Sequence, residues 1–200
     1  SRRQRQMCIR DRLKGGQGSS SWTQEFSNGK AYTVGAIVIN NAVGNPLLND
    51  GPYFLSGHLE LDKEFGGYGP SNKRYDNILR AKRIPPSLGI TDTLNDISSN
   101  TVIGVVATDA PLTRANLKRI AIMAHDGIAK SLSPAHTPMD GDTIFSISTN
   151  QSDKKQILEN VDILALGSRA SDCVARACNR AVYEATSLGN SKPGWKSLFS

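Results

Sequence analysis

The sequence predicts an α/β layered domain, because runs rich in β-branched residues alternate with segments whose apolar residues recur at helical spacing. Three runs carry the strands: residues 31–40 (AYTVGAIVIN), Thr101–Thr108 and Thr143–Ser148. Two segments carry the helices, one following residue 109 and one over residues 168–185. The chain has 200 residues, enough for one domain with a substantial core. It is 38% hydrophobic and 21% charged, inside the globular range. No apolar run approaches the roughly 18 residues that would cross a bilayer, so no membrane partner is expected. No internal repeat is present.

Each element has its own signal. Residues 1–13 hold Arg2, Arg3, Arg5, Arg10 and Arg12 against Asp11, with no apolar periodicity. They read as a non-native, adapter-like tail and are set aside. The native N-terminal part, with any targeting signal, is then expected to be missing. Most of the net charge of +6 sits in this tail, so the body is nearly neutral and no nucleic-acid partner is expected. The rival reading of the tail is a basic nucleic-acid arm. Residues 14–21 (KGGQGSSS) read as a glycine-rich turn, and residues 31–40 as a buried strand. From Ala42 to Ser99 the pattern is lost in Gly, Pro, Asn and Asp, with at most a helical turn over residues 77–82. So long a connection implies a loop that is functional, mobile or destined for cleavage.

Order resumes at Thr101 with a second core strand. Asp109-Ala-Pro111 is expected to open a helix, Asp as N-cap and Pro in the first turn. Leu117, Ile120, Ala121, Ala124 and Ile128 then share one face, which packs on the sheet. A Pro/His/Asp/Gly loop over residues 133–142 leads into the third strand. In the last helix Ala170, Val174, Ala177, Cys178, Ala181 and Ala185 form a stripe of small residues, which implies close packing.

The strong chemical motifs are missing. Gly15-Gly-Gln-Gly18 lacks the Lys-Ser/Thr ending of a phosphate loop, and there is no Gly-x-Ser-x-Gly or His-Glu-x-x-His. Cys8, Cys173 and Cys178 are odd in number and lack zinc spacing, so neither a disulfide framework nor a metal cage is expected, and a reducing, cytoplasmic setting is the default. Cys173 and Cys178 read as core thiols, and His125 and His136 as hydrogen-bonded structural histidines. Asp140-Gly-Asp142 on its own could be a turn.

Three runs in order change this reading: 100–109 (NTVIGVVATD), 112–127 (LTRANLKRIAIMAHDG) and 136–145 (HTPMDGDTIF). They resemble the DmpA-type family, which comprises L-aminopeptidase/D-amidase/D-esterases, β-peptidyl aminopeptidases and endo-type aminohexanoate-oligomer (nylon oligomer) hydrolases. The likeness covers roughly residues 14–41 and 100–186. It implies a four-layer αββα sandwich and a precursor that cuts itself before a Ser or Thr, which becomes the N-terminal nucleophile. Carried over, the cut falls between Asn100 and Thr101, with residues 14–100 completing an α subunit and residues 101–200 forming the β subunit. Both build one catalytic domain. Thr101 is then the nucleophile, Lys14 the catalytic lysine and Asn41 the oxyanion donor, with Asn40 the adjacent alternative. Asp140 and Asp142 are the acidic pair. A Thr nucleophile with Asp-x-Asp resembles the nylon-oligomer branch, whereas the aminopeptidases typically use Ser with Ser-x-Glu. Departures are Gln17 in the glycine-rich loop, the long linker after Asn41 and the absent first portion.

The chemistry implied is consistent. A freed α-amine, with a pKa near ~8, can take the hydroxyl proton without a histidine. Lys14 would keep that amine neutral, Asp140, oriented by Asp142, would accept hydrogen bonds from Thr101, and Asn41 would hold the oxyanion. The expected activity is hydrolysis of amide bonds in short oligoamides or peptides through an acyl-threonine, with no metal or cofactor, by a homo-oligomer of α/β heterodimers. The rivals are an acyltransferase of the ornithine acetyltransferase type and an inactive fragment.

Overall fold

The computed structural model describes residues 8–9, 13–48, 51–72, 100–149, 158–187 and 193–200. In chain order the elements are β1 (Cys8–Ile9), β2 (Leu13–Lys14), β3 (Gln17–Glu25), β4 (Ala31–Asn41), a 3-10 turn (Gly57–Leu59), β5 (Thr101–Thr108), α1 (Arg114–Ser131), β6 (Thr143–Ser148), α2 (Asn160–Tyr183) and α3 (Trp195–Phe199). β1 and β2 pair antiparallel, and the main sheet runs β3-β4-β5-β6. β3/β4 and β4/β5 are antiparallel, while β5/β6 are parallel and joined across α1, as a parallel pair requires.

Alternation in the strands decides which side is buried. Tyr32, Val34, Ala36, Val38 and Asn40 of β4, with Val102, Val106 and Thr108 of β5, lie under the helices. Against them pack Ile120, Ala124 and Ile128 of α1 and the stripe Ala170, Val174, Ala177, Cys178 and Ala181 of α2. The small residues let backbones approach: a Cβ on Gly18 would run into the Ala177 carbonyl, and one on Gly127 into that of Ser171. Burial pushes the thiols of Cys173 and Cys178 up to about 11 and about 12, so both behave as core residues.

Three local expectations are corrected. Residues 17–25 are a strand, because β4 supplies the ladder and α2 covers alternate positions, which overrides the weak β-propensity of Gly and Ser. α1 starts at Arg114 with Thr113 as N-cap, accepting from the Asn116 N–H at 3.2 Å, while Asp109 turns back to the Thr33 N–H at 2.7 Å. α2 begins eight residues before the expected start at residue 168, at a capping box formed by Glu159 and Asp162. The connection after Ala42 is also not loose where it is described. Leu47, Phe54 and Phe65 join Leu13, Val182 and Trp195 in a second cluster, and the Arg176 guanidinium grips Glu64 while Asn179 donates to Ser56 at 2.6 Å. The helical turn expected over residues 77–82 lies outside the described residues.

The helices cover one face of the sheet. The opposite face carries Ile37, Ile39, Ile103, Phe145 and Ile147, each between 44% and 57% exposed. The described residues thus form one helical layer and one sheet layer of the expected αββα sandwich. No described helix is long and apolar enough to cross a membrane.

Candidate active site

The site is built where β4 ends and β5 begins. The antiparallel register sets Asn41 directly opposite Thr101. Thr101 shares its strand face with Ile103, and Asn41 shares its own with Ile39, so both stand at the rim of the exposed apolar face. Asn40 points the other way. It is fully buried, donates to the Cys178 carbonyl at 3.2 Å and accepts from the Ala42 N–H, which makes it a structural residue and leaves Asn41 as the one beside Thr101.

The third side comes from the loop before β6. Asn100 and Asp140 form a parallel bridge, in which the Gly141 N–H donates to the Asn100 carbonyl at 3.1 Å. The two carboxylates of this loop do separate work. Asp140 accepts from the Val43 N–H at 3.0 Å and from both the N–H and the hydroxyl of Thr137. Asp142 accepts from the Val102 N–H at 2.8 Å and pairs with His136 Nδ1 at 2.7 Å. His136 stacks on His125, whose ring nitrogens meet His136 Nε2 at 3.2 Å and the Asp142 carbonyl at 3.3 Å. Both histidines are therefore hydrogen-bonded, as expected of structural ones.

The Thr101 hydroxyl is buried and has no hydrogen-bond partner among the described residues. An orphaned buried hydroxyl is costly in a folded protein, and Ser171, Asn179, Arg180 and Trp195 also hold such atoms, so what sets Thr101 apart is its place opposite Asn41 and beside the loop of residues 140–142. Neither carboxylate of the acidic pair bonds it. Lys14 lies at the same end of the sheet, since the Gly16 carbonyl accepts from the Asn40 N–H, yet its ammonium donates to the Thr186 carbonyl at 2.7 Å. Thr101, Asn41, Asp140 and Asp142 are thus brought together, whereas Lys14 belongs to the separate β1/β2 pair and turns its head toward Thr186, just past the end of α2. The Thr137 hydroxyl, the Val43 N–H and the Gly141 N–H were not singled out from sequence. Only Thr137 carried a signal, three residues ahead of Asp140 in a Thr-Pro turn.

A model described as peptidase family S58 matches residues 7–193. The chain belongs to peptidase family S58. An uncharacterized aminopeptidase of Mycobacterium tuberculosis is 35% identical to it over 195 residues, 94% of this chain and 53% of that protein. The 6-aminohexanoate-oligomer endohydrolase of Agromyces sp. is 29% identical over 98 residues, 46% of this chain and 25% of that enzyme. In fold the S58 chain is similar to the L-aminopeptidase D-Ala-esterase/amidase of Ochrobactrum anthropi, whose structure is described as a variant of the Ntn hydrolase fold. The TM-score is 0.60 at 22% identity, covering 92% of this chain and 44% of that one. The chain spans about half the length of the curated relatives it matches.

Proposed function

We propose that this S58 chain is the catalytic part of a self-processing N-terminal-threonine amidohydrolase. Residues 14–100 would complete its α subunit and residues 101–200 its β subunit. The observation that carries the reading is the Thr101 hydroxyl, buried and unpartnered, at the first residue of a strand, opposite Asn41 and in contact with the Asp140-Gly-Asp142 loop. A hydroxyl with no competing hydrogen bond is free to aim at a neighbouring carbonyl carbon, and after cleavage the new α-amine of Thr101 is the base within reach of it.

In turnover the amine takes the hydroxyl proton, the oxygen attacks the substrate amide carbon, and Asn41 donates to the oxyanion. The amine returns the proton to the leaving nitrogen, and water releases the acyl group. Asp142 keeps β5 in place through the Val102 N–H, and Asp140 fixes the loop through Thr137 and Val43. Lys14 holds the amine neutral by like-charge repulsion once its head leaves the Thr186 carbonyl. The substrate reading rests on the Thr/Asp-Gly-Asp combination together with the similarity to a 6-aminohexanoate-oligomer endohydrolase. It favours internal amide bonds of short linear oligoamides, handled by a homo-oligomer of processed α/β units.

The test uses the full-length gene product with one oligomer in N-acetylated and free-amine forms, products being followed by mass spectrometry. Cleavage of both forms at internal bonds, abolished in Thr101→Ala, is expected. Cutting of the free-amine form alone, one residue at a time, would replace the endo reading with an aminopeptidase.

A further inference from the structure

We infer that the backbone N–H of Gly141 is the oxyanion donor for self-cleavage of the Asn100–Thr101 peptide bond. This rests on the reading of Thr101 as the processing nucleophile and assigns a group the acidic-pair motif does not name. The oxygen that must become negative in that step is the Asn100 carbonyl, and Gly141 N–H already donates to it at 3.1 Å in the uncut chain. A donor is useful to a transition state when it is in place beforehand, so that nothing need reorganise as charge develops.

The surrounding contacts make this donor rigid. Asp140 N–H donates to the Thr137 carbonyl at 2.9 Å, and its side chain is tied to Thr137 and Val43. One residue past the glycine, Asp142 accepts from the Val102 N–H at 2.8 Å. Residues 140–142 therefore grip the chain on both sides of the scissile bond, at the carbonyl of residue 100 and at the N–H of residue 102. Residue 141 also lies against the nucleophile, since a Cβ there would be 3.6 Å from Thr101 Oγ1.

The step balances without a co-reactant other than water. Thr101 Oγ1 bonds to the Asn100 carbonyl carbon and gives up its proton. The tetrahedral intermediate holds its negative oxygen against the Gly141 N–H. The carbon–nitrogen bond then breaks, the nitrogen gaining the proton, to leave an Asn100 ester on Thr101. Water adds to that ester, the oxygen is again negative and again faces Gly141, and Thr101 Oγ1 departs with a proton, leaving Asn100 as a carboxylate and Thr101 with a free amine.

The experiment removes one hydrogen. In the full-length gene product, glycolic acid replaces Gly141 by nonsense suppression, so that an ester stands where the N–H was. The same chemistry is applied at Thr149, whose N–H donates to Thr108 at the far end of the same strand pair. Processing is followed by intact mass, with circular dichroism to confirm folding. The ester at 141 should slow processing by roughly 10²-fold, the loss typical of one oxyanion donor, and the ester at 149 should not. Should the 141 ester fold poorly, uncut Thr101→Ala protein labelled with 15N at Gly141 and 13C at the Asn100 carbonyl should show a scalar coupling across the hydrogen bond. Equal processing with and without the Gly141 N–H, or no such coupling, would overturn the inference while leaving Thr101 as nucleophile. Unsubstituted protein that never cuts before Thr101 would overturn the underlying reading instead.

Discussion

Thr101 Oγ1, Asn41 and the two aspartates meet because β4 and β5 pair in one register and the loop before β6 closes over their ends. The residue types were legible in the sequence: a Thr heading a β-branched run, and an Asp-Gly-Asp turn. Their division of labour was not. Asp140 was expected to accept from Thr101 and be oriented by Asp142, whereas its carboxylate is held by Thr137 and Val43 and Asp142 takes the Val102 N–H. Which carboxylate meets which donor depends on the bridge between residues 100 and 140, a long-range register no local pattern encodes. Among the described residues the partners of Asp140 are the N–H groups of Val43 and Thr137 and the Thr137 hydroxyl, all donating to it, so Asp140→Asn would set its amide hydrogens against at least one N–H. Turnover should fall at least about a hundredfold with the circular dichroism spectrum unchanged, and Lys14→Ala should do the same if its ammonium tunes the Thr101 amine. Near-normal rates in either variant would return that residue to a structural role.

Among the elements, β4, β5 and β6 were plain from their β-branched runs, while β3 was hidden. Its Gln-Gly-Ser-Ser-Ser start has little propensity of its own, and the strand exists because β4 pairs with it and α2 presses on it. Gly18→Ala tests this, since the added methyl meets α2 backbone that cannot rotate away. A loss of about 1–3 kcal/mol, read as a lowered melting temperature, is expected. α2 hides its start for a different reason: its cap is Glu159, outside the usual Ser/Thr/Asp/Asn set, reinforced by Asp162. Burial alone would raise the Asp162 pKa, but the Ser27 hydroxyl and N–H and the Glu159 N–H donate to its carboxylate and hold it below the ordinary 3.8. A carboxyl lowered in the folded state adds stability above its unfolded pKa and loses it as pH falls through the folded value. The melting-temperature gap between wild type and Asp162→Ala should therefore be full near neutrality and shrink below about pH 4. A gap that stays constant down to pH 2 would remove the ionised cap from the account.

At the scale of the whole molecule, the helical side of the sheet is closed by one apolar cluster, a second gathers residues of β2, the connection after Ala42, α2 and α3, and the other side of the sheet leaves five large apolar residues in the open. Strand polarity alone did not reveal this, because Ile37 and Ile39 alternate with Val38 and leave β4 apolar on both faces, the pattern of a strand covered twice. These 200 residues should self-associate through the open face and bind a hydrophobic dye; a monodisperse, dye-silent chain would contradict this. The central claim is that Thr101 becomes a chain terminus by its own action, and one measurement meets it directly: intact mass and N-terminal sequencing of the purified full-length gene product beside Thr101→Ala. Two fragments are predicted for wild type, the smaller beginning Thr-Val-Ile-Gly, with the variant remaining one chain. A wild-type protein that is active as a single uncut chain would contradict the account.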